Sequence, residues 1–217
     1  MSNKIAILIG ATGATGSPLL HQILNDDYFA KVIVLSRRAI DIHHQKLQVH
    51  IIDFDHTSSW AHLVKGDVLF STLGTTLKVA KTKANQFKID YTYQFQVAKA
   101  ASENGVSTYI LVSSYGANEH SLFFYPRTKG QLDAAVQKLL FEHIHIFRPG
   151  ILQRQIDKIR PIEKISIFII NALNKMGLFL NQRPMPVALL AEKMILLSKR
   201  DSSKRTQILS LNEIFSI

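Results

Sequence analysis

Short apolar runs of strand length alternate with amphipathic stretches of helical period along most of the chain. Apolar runs at Ile5–Ile9, Lys31–Leu35 and Val49–Asp53 predict the first three strands. Between the first two runs, leucine and isoleucine recur at helical spacing, which predicts a helix over Ser17–Asn25. Apolar runs without polar alternation are typical of strands in a parallel sheet that is covered on both faces.

The same alternation continues through the middle of the chain. Further strands are predicted at Val68–Phe70, Thr108–Val112, Ile144–Phe147 and Ile208–Leu211. Longer helices are predicted over Ala84–Asn104, closed by Gly105, and over Pro126–Phe141. Proline suits the first position of a helix because the N–H that it lacks would have no partner there.

This order of elements predicts the α/β class, with a doubly wound parallel sheet of the Rossmann type. Residues 151–204 interrupt the alternation, and we interpret them as a small C-terminal lobe on the substrate side of a single domain that spans residues 1–217. Within this lobe the apolar stretch Ile165–Leu180 is broken by Asn171, Asn174 and Lys175. It is also shorter than the ~20 apolar residues of a membrane-spanning helix, so we expect no stable membrane insertion.

Composition narrows the classes of function. The chain has 217 residues, 47% of them hydrophobic, and no cysteine, which excludes disulfides, thiolate nucleophiles and cysteine metal sites. A chain without disulfides suits a reducing compartment, and the first apolar run is too short for a signal peptide, so a cytoplasmic location is expected. The formal charge of +10 is scattered, without a basic helix or arm, so we expect no nucleic-acid partner. The histidines lack metal-ligand spacing, so no metal site is expected.

A glycine-rich loop lies between the first predicted strand and the first predicted helix. In this position Gly10 would make the tight turn, Gly13 would let a pyrophosphate approach the backbone, and Gly16 would let the helix pack on the sheet. The start of the helix supplies free N–H groups and the positive end of its dipole. The loop therefore predicts a dinucleotide site, whose residues here are Gly10, Thr12, Gly13, Ala14, Thr15 and Gly16.

The residues after the second and third strands concern the adenosine half of such a cofactor. An NAD enzyme usually carries an acidic residue after the second strand, for the ribose 2′-hydroxyl. This chain has Ser36, Arg37 and Arg38 there, and guanidinium groups bind phosphate oxygens in a fork, so NADP is expected and NAD is less favoured. After the third strand, Asp53 could accept a hydrogen bond from the adenine amino group and Phe54 could pack on the adenine face.

A candidate catalytic group follows in the second half of the chain. Tyr125 and Lys129 are four residues apart near the start of a predicted helix, which places them on one face. A phenol titrates near ~10, and a nearby ammonium would lower that pKa and let the phenol exchange a proton with a carbonyl or alcohol. Ser113 and Ser114 follow the fifth strand at its carboxyl end, where ligands bind in this fold, and either hydroxyl could hold the substrate oxygen.

With these motifs the sequence resembles the atypical short-chain dehydrogenases, and among them the Tat-interacting-protein-like oxidoreductase group. The resemblance runs from Ile5 to about Ile195 and implies NADP binding and a Ser/Tyr/Lys site, with Tyr125 and Lys129 also touching the cofactor. It departs at Tyr115, where relatives often carry lysine. The resemblance further implies a nicotinamide-side segment of Leu73, Gly74 and Thr75, and a turn near the substrate of Arg148, Pro149 and Gly150.

These motifs predict an NADP-dependent oxidoreductase that acts on an unidentified carbonyl or alcohol. One alternative is a non-catalytic regulator that senses NADP(H) and binds a protein partner, because fold and cofactor do not determine function. Another is a nucleotide-sugar epimerase or dehydratase, which uses the same Tyr/Lys pair but usually has a larger C-terminal substrate domain. Both a monomer and a dimer are compatible with the sequence.

Overall fold

The computed structural model describes residues 3–153, 183–201 and 203–217. The strands are β1 (Lys4–Ile9), β2 (Phe29–Ser36), β3 (Leu47–Ile51), β4 (Val68–Ser71), β5 (Thr108–Val112), β6 (His143–Arg148), β7 (Leu152–Gln153), β8 (Met185–Pro186) and β9 (Thr206–Ser210). Seven of them form one sheet in the order β3-β2-β1-β4-β5-β6-β9, and every neighbouring pair is parallel. The strands β7 and β8 form a separate two-stranded pair.

Helices connect the strands. They are α1 (Gly16–Leu24), α2 (Thr57–Trp60), α3 (Leu77–Ala80), α4 (Lys83–Phe87), α5 (Tyr93–Glu103), α6 (Phe124–Val136), α7 (Val187–Ser198) and α8 (Asn212–Phe215). A 3-10 turn over Ala61–Leu63 extends α2, and a π turn over Lys88–Thr92 joins α4 to α5. No helix among these described ranges is both long and apolar enough to cross a bilayer.

The sheet buries apolar side chains on both of its faces. In β1, Ala6 and Leu8 belong to one core cluster and Ile7 and Ile9 to the other, and all four are fully buried. The first cluster also contains residues of α1 and α7, and the second contains residues of α5 and α6. Because helices cover both faces, neighbouring positions of one strand are all apolar, and the predicted doubly wound α/β fold is confirmed.

The strand order reverses between β1 and β4, and this switch point places the functional loops. The loop that follows β1 begins at Gly10, and the loop that follows β4 begins at Thr72. Both leave the carboxyl edge of the sheet from adjacent parallel strands. In open α/β sheets a ligand lies in the crevice between two such loops.

Element boundaries depart from the sequence prediction in two informative places. The helix predicted to begin at Pro126 begins two residues earlier, at Phe124, so Pro126 is its third residue. The helix predicted over Ala84–Asn104 is interrupted by the π turn. It ends as predicted: Gly105 has a φ of +81° and its N–H donates to the Ser102 carbonyl.

The predicted C-terminal lobe is described only in part, because residues 154–182, including Ile165–Leu180, lie outside the described residues. Met185, Leu190 and Met194 of the described part are buried in the cluster that contains α1. Gln22 of α1 donates a hydrogen bond to the Ala188 carbonyl. This part of the lobe therefore packs against the body of the domain through α7 and α1.

His145 makes the stability of this fold depend on pH. It lies on β6 opposite Gln207 of β9 and is 1% exposed. Burial lowers its pKa to about 4, the nearby His143 adds to that lowering, and Gln207 opposes it. Because the unfolded chain binds a proton near pH 6.5 and the folded chain does not, stability falls as the pH drops from about 6.5 towards 4.

We expect this effect to reach about 3 kcal/mol in the free energy of unfolding. Urea unfolding at several pH values would measure it, with His145→Gln as the variant that removes the titration. The wild type should lose more stability than the variant on acidification. If the wild type and the variant differ in free energy of unfolding by the same amount at pH 7.5 and at pH 4.5, His145 is not the cause of the pH dependence.

Candidate functional site

The glycine loop is shaped by two positions that exclude a side chain. Gly10 has a φ of +84°, and a Cβ there would lie 2.6 Å from the Leu73 nitrogen. A Cβ on Gly16 would overlap the Gly10 carbonyl. A Cβ on Gly13, in contrast, would meet the same carbonyl at 3.1 Å. Backbone therefore approaches backbone closely here, as a turn between strand and helix requires.

The start of α1 is open to an anion. Its N-cap residue, Thr15, makes no side-chain capping hydrogen bond. In the first turn the Ser17 N–H donates to the Gly13 carbonyl at 3.0 Å and Pro18 has no N–H, so the Gly16 N–H is the one without an acceptor in the described part of the chain. Thr12 and Gly13 are exposed, Ala14 is half-buried, and the Gly13 N–H is used within the loop, donating to the Gly10 carbonyl. The Gly16 N–H and the positive end of the helix dipole suit a pyrophosphate.

The end of β2 presents two exposed cations at the same edge, and neither forms an ion pair with any residue that the structure describes. Arg37 and Arg38 are exposed, and the half-buried Ser36 accepts a hydrogen bond from the Arg38 N–H through its Oγ at 3.3 Å. Arg37 lines a cavity of about 330 Å³. The other lining residues are Val79, Ala80, Lys81, Asn85, Lys88, Ile89 and Tyr93.

Asp53 and Phe54 differ in their access to this edge. The Asp53 carboxylate accepts from the Asp55 N–H at 3.0 Å and pairs with His56 Nδ1 at 2.8 Å, which together lower its pKa, yet the side chain remains exposed. Phe54 is 2% exposed, and its ring stacks on Tyr93 with 5.1 Å between centroids. The prediction that the Phe54 ring packs on an adenine is therefore wrong, because that ring is part of the core.

Tyr125 and Lys129 lie on the first turns of α6, as their spacing predicts. Tyr125 is exposed, whereas Lys129 is 3% exposed and its Nζ donates to the carbonyl of Val112 at 3.0 Å. Val112 is the last residue of β5 and directly precedes the two serines. This hydrogen bond ties α6 to the strand end that carries Ser113 and Ser114.

The two serines face different partners. The Ser114 hydroxyl lies near the Tyr125 phenol and lowers its pKa, while its own hydrogen bond is donated to the Tyr115 carbonyl at 3.3 Å. Ser113 is 6% exposed, and its hydroxyl faces the Asp133 carboxyl, whose pKa it lowers. Neither Ser113 Oγ nor Asp133 Oδ1 completes a hydrogen bond of ordinary length within the described ranges. Of the pair that the sequence left open, Ser114 is the one beside Tyr125.

The pKa of Tyr125 moves opposite to the expected direction. Although 42% of Tyr125 is exposed, desolvation of its hydroxyl by the surrounding chain raises the pKa and the charge of Asp90 adds to the increase, whereas the nearby Ser114 hydroxyl opposes both. The Lys129 ammonium, which the sequence predicted to lower this pKa, is directed at the Val112 carbonyl. The phenol therefore stays protonated at neutral pH in this structure, and the predicted lowering is wrong here.

Asp90 is the principal site residue that the sequence did not reveal. It lies in the π turn, is 1% exposed, and accepts from the Thr75 N–H at 2.7 Å and from Gln86 Nε2 at 3.2 Å. Asp90 raises the pKa of Lys129, and Lys129 lowers that of Asp90, although burial has the larger, opposite effect on each. The carboxylate thus connects Lys129 to the Gly74–Thr75 segment.

One pattern in the sequence could have pointed to Asp90 and the polar side chains around it. Gln86, Asp90 and Gln94 recur every four residues, which puts three polar side chains on one helical stripe, and all three are buried. Gln94 Nε2 donates to the Asp90 carbonyl at 2.8 Å, and its Oε1 accepts from Ser71 Oγ at 2.8 Å. A buried polar stripe on a helix that packs on the sheet indicates an internal hydrogen-bond network.

The turn after β6 is joined to the same edge. Arg148 Nε donates to Asp133 Oδ2 at 2.8 Å, and Asp133 is almost fully buried. The Pro149 carbonyl accepts from the Tyr115 N–H at 2.9 Å, and Gly150 packs near Leu211. Loops after β1, β4, β5 and β6 therefore meet at one edge, with Leu73 half-buried among them.

Comparison with known proteins identifies the family. Residues 10–152 match the model of the NAD(P)H-binding family. The protein fmp52, mitochondrial, of Aspergillus fumigatus is 36% identical over 175 residues, which cover 77% of this chain and 75% of that protein. The protein HTATIP2 of Rattus norvegicus is 34% identical over 171 residues, which cover 76% and 70% of the two chains.

Solved structures of low sequence identity share the fold. The Bordetella bronchiseptica enzyme WbmG in complex with NAD superposes with a TM-score of 0.72 at 14% identity, covering 96% of this chain and 72% of that one. The UDP-N-acetylglucosamine 4-epimerase of Methanobrevibacter ruminantium M1 gives 0.69 at 15% identity, with coverages of 100% and 81%.

The relatives overturn the expected cytoplasmic location. Related proteins of Aspergillus fumigatus, Emericella nidulans and Candida albicans are all named as mitochondrial. The sequence argument failed because a lack of cysteine excludes disulfides in every compartment and so does not distinguish one reducing compartment from another.

The glycine loop, the fold and these relatives agree with the resemblance found in the sequence. The chain belongs to the NAD(P)H-binding family, as a protein of the atypical short-chain dehydrogenase type.

Proposed function

We propose that this protein is an NADP-dependent oxidoreductase that acts on a small carbonyl or alcohol substrate through Ser114, Tyr125 and Lys129. The observation that carries the proposal is the meeting of these three residues with the glycine loop at one edge of the sheet. A dinucleotide that lies along that edge, from Arg37 to Thr75, would bring its nicotinamide end to Tyr125. When bound, NADP supplies or accepts the hydride.

Different residues of this chain would hold the different parts of NADP. The Gly16 N–H and the positive dipole end of α1 would hold the pyrophosphate, and Arg37 and Arg38 would pair with the 2′-phosphate. Lys129 would donate to the ribose hydroxyls next to the nicotinamide, since its ammonium is already at the adjacent strand end. Gly74 and Thr75 would border the nicotinamide, held by the hydrogen bond from Thr75 to Asp90.

Tyr125 would hold the proton that the reaction moves. Because its pKa is raised, the phenol is protonated at neutral pH and suits a donor to the oxygen of a carbonyl that is being reduced. Ser114, next to the phenol, would donate to the same oxygen and stabilise its developing charge. A protonated phenol is the form of Tyr125 that carbonyl reduction requires.

A second candidate is epimerase-like chemistry on a nucleotide sugar. It is supported by the fold shared with a UDP-N-acetylglucosamine 4-epimerase and by the same Tyr/Lys spacing. A purely regulatory NADP sensor is less favoured, because such a protein would not need Tyr125 beside a serine hydroxyl.

The relatives' names support a mitochondrial location for this protein.

The first prediction concerns the proton donor. Tyr125→Phe should lower the rate of NADPH-dependent reduction of a carbonyl panel by roughly 10²–10⁴-fold, because it removes only the acid–base hydroxyl. The affinity for NADPH should change little. Tyr115→Phe is the matched control, since Tyr115 is a neighbouring exposed tyrosine, and it should retain full activity. Full activity of Tyr125→Phe on any substrate would end the catalytic assignment.

The glycine loop gives a matched pair of variants. Gly13→Ala should weaken NADPH binding about tenfold or more, because its methyl group narrows the loop where the pyrophosphate would approach, and its 3.1 Å contact requires the Gly10 carbonyl to shift by only a few tenths of an ångström. Gly16→Ala should instead lower the free energy of unfolding by about 1–3 kcal/mol, because its methyl group meets backbone. Calorimetry and thermal unfolding distinguish the two effects. Unchanged NADPH affinity in Gly13→Ala would mean that this loop is not the phosphate site.

Cofactor preference tests the role of Arg37. The wild type should bind NADPH about 10- to 100-fold more tightly than NADH, the range of a charge-assisted phosphate contact. Arg37→Ala should reduce that ratio without weakening NADH binding. Calorimetry that finds equal or tighter binding of NADH to the wild type would exclude the NADP preference.

A further inference from the structure

The cavity beside Arg37 is built by the end of β2 and by the segment that runs from α3 to the start of α5. We call it the adenosine pocket and define it by Arg37, Val79, Ala80, Lys81, Asn85, Lys88, Ile89 and Tyr93. Arg37 comes from the carboxyl end of β2, and the other residues come from α3 to the start of α5. The pocket therefore lies on the β2 side of the switch point, where the adenosine half of a dinucleotide is bound in this fold.

The charges of the pocket suit an anion. Arg37, Lys81 and Lys88 contribute three cations. The nearby carboxylate, Asp55, is already engaged: Lys88 Nζ donates to it at 2.7 Å and the Tyr93 hydroxyl at 3.0 Å. Across the ranges that the structure describes, the side chains of Arg37 and Lys81 form no ion pair. Two cations are thus available to a dianionic phosphate.

Lys81 stands in a backbone conformation that lysine rarely adopts. Its φ is +69° and its ψ is −34°, at the C-cap of α3, a combination outside the left-handed helical region that glycine adopts with the least strain. Its N–H donates to the Leu77 carbonyl at 2.8 Å, which holds this conformation. A non-glycine residue kept in a strained conformation at the rim of a pocket suggests a role for its side chain.

The remaining lining matches a flat heteroaromatic base. Val79 is 63% exposed, although it is apolar, and Ile89 and Ala80 extend the same wall. Asn85 Nδ2 donates to the Ala80 carbonyl at 3.1 Å, which leaves its Oδ1 as the end that can accept a hydrogen bond. The amino group of adenine is a donor that would complement this oxygen.

We propose that Lys81 is a specificity-determining residue, which binds the 2′-phosphate of NADP together with Arg37 in the adenosine pocket. This assignment rests on the proposed NADP dependence and replaces Phe54 with Val79, Ile89 and Asn85 as the adenine contacts.

The test uses two nucleotides that differ only by the phosphate in question. Adenosine 2′,5′-bisphosphate and 5′-AMP are titrated into the full-length protein by calorimetry. The wild type should bind the bisphosphate about 10- to 100-fold more tightly. Lys81→Asn removes the charge and keeps a non-glycine residue at this position, and it should reduce this ratio about tenfold while leaving the affinity for 5′-AMP unchanged.

Two control variants sharpen the result. Lys78→Asn removes an exposed lysine of α3 that does not line the pocket, and it should keep the wild-type ratio. Asn85→Leu should weaken both nucleotides equally, because it affects the base and not the phosphate. If Lys81→Asn keeps the wild-type ratio of affinities for the bisphosphate and 5′-AMP, the role of Lys81 is overturned but the NADP dependence is left intact. Equal affinity of the wild type for the two nucleotides overturns both.

Discussion

The ammonium of Lys129 is buried at the carboxyl edge of the sheet, and the site is organised around keeping a charge there. A buried charge is strongly destabilising unless it is paired and hydrogen-bonded. Here the Val112 carbonyl accepts from it at 3.0 Å, and the carboxylates of Asp90 and Asp133 both favour its charged form. Burial still lowers the pKa of Lys129, so its charge depends on these neighbours.

Each compensating group also positions another part of the site. Asp90 holds the Thr75 amide, Asp133 binds Arg148 at the end of β6, and Val112 leads into the two serines. Gly130, the residue after Lys129, lets α6 come close to the 118–119 backbone, where a Cβ would overlap it. Because α6 lies this deep, Lys129 reaches the strand end while Tyr125, one turn earlier, remains accessible.

The strands and the glycine loop could be predicted because their causes are local. Apolar runs such as Ile5–Ile9 identify buried strands, Gly10 is required by its own φ of +84°, and Gly16 is required by its close approach to the Gly10 carbonyl, six residues earlier. Asp90 and Lys81 could not be assigned in this way. The role of Asp90 depends on a π turn that places it against Thr75, and that of Lys81 depends on a pocket formed with Arg37, 44 residues earlier in the chain. Phe54 was misassigned because its ring faces Tyr93 in the core, which follows from tertiary packing alone.

The charge on Lys129 tests this view most directly, and NMR of protein with labelled lysine side chains can measure it, with the signal assigned through its loss in Lys129→Met. Lys129 should be charged at pH 7 and titrate below the ordinary lysine value of 10.5, and Asp90→Asn should lower its pKa further. A Lys129 that is neutral at pH 7, or a pKa that is unchanged by Asp90→Asn, would contradict the account.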